Sequence, residues 1–356
     1  MCKLSVCMIV KNEEDYIEQC LRSVETIADE IIIVDTGSED LTCKIIQEKF
    51  PQVRLYHHPW EDNFSLHRNQ SISYATGDWI LFIDADEKIF GHPEKLKPFL
   101  DAQNKKVTAV EFIMHDMNGG KSIMQFKPLK VFRNGHIQFK NIVHNQPVTD
   151  GLKVFCPLIY FEHYGYDISE EKKALKVQRT EKLLKLRIAQ DPKDYEAHFY
   201  LSQLYGWVER WEEALECCMV YINNRKSIKP FNYAIFFSAA RICIAKLPDR
   251  LPQAKKILDL AYKKDLDILL VLAEYHAIVQ DYPKLKFYTH QFLEEYKKFK
   301  GEPYFIHCHT PEAYLYCATN YVMCLLREGI LTLLPDFQGM TLKCIDANLK
   351  ALLQQK

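Results

Sequence analysis

The chain has 356 residues, too many for one average domain and enough for two or three. Its 48% apolar content can fill a sizeable core and excludes a disordered chain, while 46 Lys and Arg against 47 Asp and Glu leave no basic surplus for a general nucleic-acid binder. Only 12 glycines argue against a turn-dense β fold and against glycine-rich phosphate loops.

Leu4–Val10 (LSVCMIV) reads as a buried strand. It is too short to span a bilayer and has no signal peptide before it, so a cytoplasmic protein is expected, at most peripheral to the inner face of the membrane. Asn12 is expected to cap a helix whose first turn, Glu13-Glu14-Asp15, is acidic, with Ile17, Leu21 and Val24 on one face. Glu30–Asp35 (EIIIVD) reads as a second buried strand, followed by a Thr36-Gly37-Ser38 turn and a helix from about Glu39 to Lys49 capped by Ser38. Val53–Tyr56 reads as a third strand. Leu66–Ala75 reads as a helix capped by Ser65 with Phe64 as a staple, and Trp79–Ile83 as a fourth strand. Apolar strands alternating with helices imply a parallel sheet covered on both faces. Beyond Pro93 shorter strands are expected at Val107–Met114, Met124–Phe132 and Ile137–Val143.

From Ser169 the pattern is helical. Residues 169–190 form a Leu- and Lys-rich helix, and 191–223 resembles a tetratricopeptide repeat, with weaker units at 232–265 and 267–300 and a last pair or cap at 310–353. Tyr200, Tyr205, Trp207 and Trp211 have the spacing of core positions rather than of a groove. Near-neutrality averages two unlike parts: residues 1–150 carry 17 basic and 22 acidic side chains, and 151–356 carry 29 and 25. The acidic part suits metal or phosphate chemistry; the basic part reads as solvated helix faces. Twelve Cys without a CxxC read as reduced, buried small hydrophobes. His307, Cys308 and His309 would need further ligands, Cys317 being nearest, to hold zinc.

The strongest chemical signal is Asp84-Ala85-Asp86-Glu87 directly after a buried strand. Alternating side chains point Asp84 and Asp86 the same way at its carboxyl end, where ligands of such sheets gather. Two carboxylates held together call for a cation or a proton, and oxygen ligands suit Mg²⁺ or Mn²⁺ gripping a diphosphate. Asp35 ends the neighbouring strand beside Val10-Lys11-Asn12-Glu13, making a pocket for a planar ring or a ribose. Arg68 can reach a phosphate or a site carboxylate. The plain alternatives are an acidic turn, simple turn chemistry and a surface salt bridge.

Together, Val10-Lys11-Asn12-Glu13, Val34 to Thr42, Asn63 to Asn69 and Trp79 to Glu87 resemble the nucleotide-binding half of family 2 glycosyltransferases with the GT-A fold, over about residues 4–165. Phe132-Arg133-Asn134-Gly135, then Ile142-Val143-His144, then His163-Tyr164-Gly165-Tyr166 and a helical tail resemble the bacterial members that carry helical repeats, including sublancin-type peptide S-glycosyltransferases. The resemblance implies an α/β GT-A domain over 1–168 and an all-α tetratricopeptide-like domain over 169–356. It implies a metal-dependent inverting transfer of a hexose from a nucleotide diphosphate sugar, a UDP-hexose, to a peptide or cell-surface glycan, with Mn²⁺ or Mg²⁺.

By the same resemblance Asp35 contacts the base, Asp84 the ribose or sugar, and Asp86 the metal, with His144 a further metal or diphosphate ligand. Val10, Asn12, Glu13, Arg68 and Ala85 line the donor pocket. Two positions depart from the family pattern: Asn63 stands where an Asp is usual, and Asn145 where many relatives carry a Glu after the His. Asn cannot serve as a general base, so the base is unassigned: Asp116, Glu111, Asp150 and His163 are the candidates, a Cys thiol acceptor would need little base help, and a third option is that Asn145 only positions the acceptor. The helical part presents the acceptor or forms a homodimer. The rival reading is a nucleotide-sugar-binding scaffold whose repeats hold a peptide partner. A nucleotidyltransferase would need a glycine-rich basic loop where Lys11-Asn12-Glu13-Glu14 stands.

Overall fold

The computed structural model describes residues 1–165, 168–224, 234–261, 265–299 and 311–328. Two compact units divide at Arg187/Ile188. In the first, β1 (Leu4–Val10), β2 (Glu30–Asp35), β3 (Arg54–His57) and β4 (Trp79–Phe82) pair in parallel in the order β3-β2-β1-β4. Beyond β4, where the pattern is expected to change, the sheet becomes mixed. It continues through β8 (Leu129–Arg133), β6 (Val107–Asn118), β11 (Leu152–His163) and β5 (Glu87–Gly91), with β8 antiparallel to both neighbours, β6 parallel to β11, and β5 antiparallel to it. The span 124–132, expected as one strand, is two: β7 (Lys121–Phe126) pairs β6, and β8 follows Lys127-Pro128. Proline has no N–H to keep a ladder going. In place of the third expected strand, β9 (Gln138–Lys140) and β10 (Gln146–Val148) make a separate hairpin.

Alternation along β1 builds a core on each face. Leu4, Val6, Met8 and Val10 pack with Ile17, Cys20, Leu21 and Val24 of α1 (Ile17–Val24) and Ile46 of α2 (Thr42–Lys49). Cys7 packs on the other face with Ile32, Ile80, Phe82 and Phe132, covered by Ile72 of α3 (Phe64–Ser73). Short α4 (Leu96–Asp101) adds Leu96 and Leu100 to the first core. The unit ends on α5 (Glu170–Gln190), whose Leu183 and Leu184 are fully buried.

Three helix starts differ from expectation. Asn12 has φ +58° and lies outside α1, which begins at Ile17 without a side-chain cap; the Asn12 side chain instead accepts from Glu39 N at 2.8 Å. Ser38 does not cap α2, which begins at Thr42; its hydroxyl accepts from Asn12 N at 3.0 Å. Ser65 lies inside α3, whose cap is Asn63, accepting from Leu66 N at 3.0 Å. Asn is as good a cap as Asp, so the family departure at 63 keeps this local function.

The second unit is helical: α6 (Tyr195–Trp207) with α7 (Trp211–Asn223), α8 (Ala234–Ala245) with α9 (Leu251–Leu260), α10 (Leu266–Ile278) with α11 (Tyr282–Lys298), then α12 (Pro311–Arg327). This is the paired-helix order expected of tetratricopeptide-like repeats. Tyr205 is buried, and Tyr200, Trp207 and Trp211 are half-buried. The ten cysteines among the described residues are free thiols, as expected; His307, Cys308 and His309 lie outside the described residues. No described helix is long and apolar enough to cross a membrane.

Candidate active site

The carboxyl ends of β1, β2 and β4 place Val10, Asp35 and Asp84 along one edge of the sheet. Asp35 is 3% exposed, and its carboxylate accepts from Gly37 N at 3.1 Å, Ser38 N at 3.0 Å and His57 Nδ1 at 3.2 Å. Burial opposes its ionisation, but these donors outweigh burial and hold its pKa below the ordinary carboxylate value. Gly37, at φ +102°, makes the turn that aims both amides back at Asp35. Sequence reading missed His57 and Cys43, which each bring a ligand-type atom within 4.8 Å of Asp35 and of each other.

Asp84 and Asp86 have different partners. Asp84 accepts from Arg68 Nη2 at 2.9 and 3.1 Å, so Arg68 is committed to a site carboxylate. The guanidinium also lies 4.4 Å from the Phe82 ring centroid. Burial again opposes ionisation, and Arg68 with Lys130 keeps Asp84 below its ordinary pKa. Glu87 braces the turn from beneath: its Oε2 accepts from Asp84 N at 3.1 Å, and Lys130 Nζ donates to both its oxygens at 2.6 and 2.7 Å. Ala85, 3% exposed, packs into the core between the two aspartates.

Asp86 faces His163, the last residue of β11, with Oδ2 3.3 Å from Nε2. His163 Nδ1 lies 2.7 Å from Asp116 Oδ1, because parallel pairing of β11 with β6 sets the two side by side. Burial works against a charged His163, but Asp116 and Asp86 overcome it and raise its pKa to about 10. Gly165 closes this corner: a Cβ there would sit 2.4 Å from Asp86 Oδ2 and 2.5 Å from His163 Nε2. Opposite, burial and the charges of Asp86 and Asp84 raise Glu13 to about 8. Glu13, Asp84, Asp86 and His163 are each half-buried.

Asp86 and His163 offer an oxygen and a nitrogen 3.3 Å apart, two of the donors a dication would take, whereas the described residues that bring three ligand-type atoms within 4.8 Å of one another are Asp35, Cys43 and His57.

The β9–β10 hairpin carries His144 and Asn145. It is tied to the start of α3 by Phe64 N to Ile142 O at 2.9 Å, Ser65 Oγ to Asn141 O at 2.6 Å, and Asn69, whose side chain bonds both Phe139 N and Phe139 O. His144 has φ +47°, a costly conformation for a side-chain-bearing residue. Desolvation, then the charges of Arg187 and Lys176, push its pKa down to about 4, so it is neutral at physiological pH. Asn145 Nδ2 is buried without a hydrogen-bond partner.

Of the candidate bases, Asp116 is occupied with His163, whereas Asp150 is exposed and paired with His136 at 2.8 Å. Glu111 is half-buried on β6. Lys130, and the α5 residues Lys176 and Arg179, border the site and were not anticipated. Tyr166 lies outside the described residues.

Residues 5–155 match the family model described as Glycosyl transferase family 2. The chain is 30% identical over 269 residues to the SPbeta prophage-derived glycosyltransferase SunS of Bacillus subtilis, covering 73% of this chain and 61% of that protein. It is 32% identical over 207 residues to a TPR repeat-containing protein of Synechococcus elongatus, covering 54% of this chain and 50% of that one. The chain thus spans less than two thirds of the length of either relative. The crystal structure of S. aureus TarS 1-349 aligns over 83% of this chain and 91% of that one at 15% identity and a TM-score of 0.33, too loose a likeness to bear on the site.

Proposed function

Because residues 5–155 form a family 2 glycosyltransferase domain, we propose that the chain transfers a hexose from a nucleotide diphosphate sugar, a UDP-hexose, to a peptide or glycan acceptor with inversion, using Mn²⁺ or Mg²⁺. The carrying observation is the Asp86–His163 pair at the carboxyl edge of the sheet, in a cleft whose other carboxylates are Glu13 and Asp84.

Asp86 and His163 hold the cation, and His144, a neutral imidazole, is the further metal or diphosphate ligand that the family resemblance implies. The cation, when bound, supplies positive charge against the diphosphate as the glycosidic bond breaks. Asp35, held ionised, accepts hydrogen bonds from the base. Asp84, fixed by Arg68 and by its own amide on Glu87, accepts from the ribose or sugar hydroxyls. Asp116 orients His163. Asn145, with its unpartnered amide, positions the acceptor.

The test is donor turnover and hydrolysis by the full chain with UDP-glucose, UDP-N-acetylglucosamine and UDP-galactose. Asp86→Asn is expected to abolish both, as is removal of divalent cations with a chelator. Full activity in chelator overturns metal dependence. Donor binding without any turnover, across peptide and glycan acceptors, would favour a binding scaffold instead.

A further inference from the structure

We infer that α5, through Lys176 and Arg179, forms the wall of the cleft that holds the donor's diphosphate. The inference rests on the nucleotide-sugar reading above and assigns that reading its anion-binding side chains. α5 lies in the part expected to be a helical tail, yet as far as Arg187 it belongs to the first compact unit. Lys172, Lys176, Arg179, Leu183 and Arg187 recur every three or four residues and so share one helix face.

Both ends of that face are anchored. Lys172 Nζ meets Asp15 Oδ2 at 2.5 Å, and the buried Arg187 donates to Val143 O at 3.0 Å, next to His144. Between the anchors, Lys176 Nζ donates to Gly165 O at 3.2 Å. Gly165 is the residue with no room for a Cβ against Asp86 and His163, so the ammonium is held on the carbonyl of the residue that packs against the candidate metal pair. The charge of Lys176 also acts on His144.

Arg179 lies one turn further along. It is solvent-exposed, its guanidinium 5.1 Å from the Phe64 ring centroid, and its charge acts on Glu13. Among the described residues it closes no ion pair within 4.0 Å.

Arg68, the cation expected from sequence to reach a phosphate, is taken by Asp84. A diphosphate neutralised only in part by one dication still needs donors that carry charge, and α5 supplies them at the correct side. The simpler alternative is that these cations only balance Glu13 and Asp86. The two roles differ in what they recognise: a diphosphate contact discriminates UDP from uridine, whereas charge balance within the protein does not.

The experiment is calorimetric titration of the full chain with UDP, UMP and uridine in Mn²⁺, for wild type, Lys176→Ala, Arg179→Ala and the double variant. Each single variant is expected to weaken UDP about tenfold, with uridine unchanged within about twofold. Arg179→Lys is expected to recover part of the loss. Thermal melts confirm that all variants fold. The inference is overturned if UDP affinity is unchanged, or if UDP and uridine weaken together. A wild-type protein that binds no nucleoside diphosphate overturns the donor reading itself, and this assignment with it.

Discussion

Glu13→Gln should make the first unit more stable at mildly alkaline pH. The wild-type carboxyl is raised from 4.5 to about 8, first by burial and then by Asp86 and Asp84. Between those two values the folded chain holds a proton that the unfolded chain releases. Stability from this group is therefore complete below its unfolded pKa and is lost as pH rises toward about 8. The slope is about −1.4 kcal/mol per pH unit, or about 4 kcal/mol between about pH 5 and about pH 8. Glutamine removes that slope while keeping the shape of the side chain. His163, raised to about 10, tilts both proteins in the same direction and cancels in the difference.

The assay is urea unfolding at several pH values, followed by tryptophan fluorescence in a Trp207→Phe/Trp211→Phe background, which leaves Trp60 and Trp79 to report the first unit. Relative to wild type, Glu13→Gln should gain stability steadily with pH, by at least about 2 kcal/mol over the range. Two parallel pH profiles would refute the raised pKa of Glu13.

Lys130→Met should destabilise the first unit by about 3 kcal/mol, because it leaves Glu87 buried without its partner; Lys130→Met/Glu87→Met should recover most of that loss in a double-mutant cycle. Gly165→Ala, whose Cβ has no room, should weaken Mn²⁺-dependent UDP binding more than tenfold by calorimetry while leaving uridine binding within about twofold. Cation binding near neutral pH should release about two protons, one from His163 and one from Glu13, measured by titration in buffers of different ionisation heat; Glu13→Gln should lower the number by about one, and zero release would contradict the site. Asn63→Asp should stay within about 0.5 kcal/mol of wild type in thermal stability, whereas Asn63→Ala should cost about 1 kcal/mol.

The parallel half was legible because each of its strands is a buried run followed by turn residues. Leu4–Val10 and Glu30–Asp35 appear with the bounds expected, and Asp35 and Asp84 stand at strand ends. Helix starts were less legible. Asn12, Ser38 and Ser65 all have capping chemistry, but tertiary partners claim all three: Asn12 and Ser38 bond across the β1 and β2 ends, and Ser65 bonds the His144 hairpin. β11 went unread because Pro157 interrupts it and its pairing with β6 shifts register between Phe155 and Tyr160. That strand delivers His163, so the Asp86–His163–Asp116 set is invisible in any local window. Lys130, too, acts only through a strand that meets Glu87 in three dimensions.

The cleft's own charges argue for a ligand of both signs. Three carboxylates, Glu13, Asp84 and Asp86, converge there, and among the described residues only Asp84 has an arginine partner in hydrogen-bonding contact. The excess is met by protons: Glu13 keeps one to about 8, and His163 keeps one to about 10 between Asp86 and Asp116. Two protons stand where one dication would leave the charge unchanged. α5 presents Lys176 on the Gly165 carbonyl and Arg179 beside the Phe64 ring, and their charges act on His144 and on Glu13. A metal–diphosphate would satisfy both signs at once, and under the proposed function the acidic surplus of the first 150 residues and the basic helix that follows them would then serve one site.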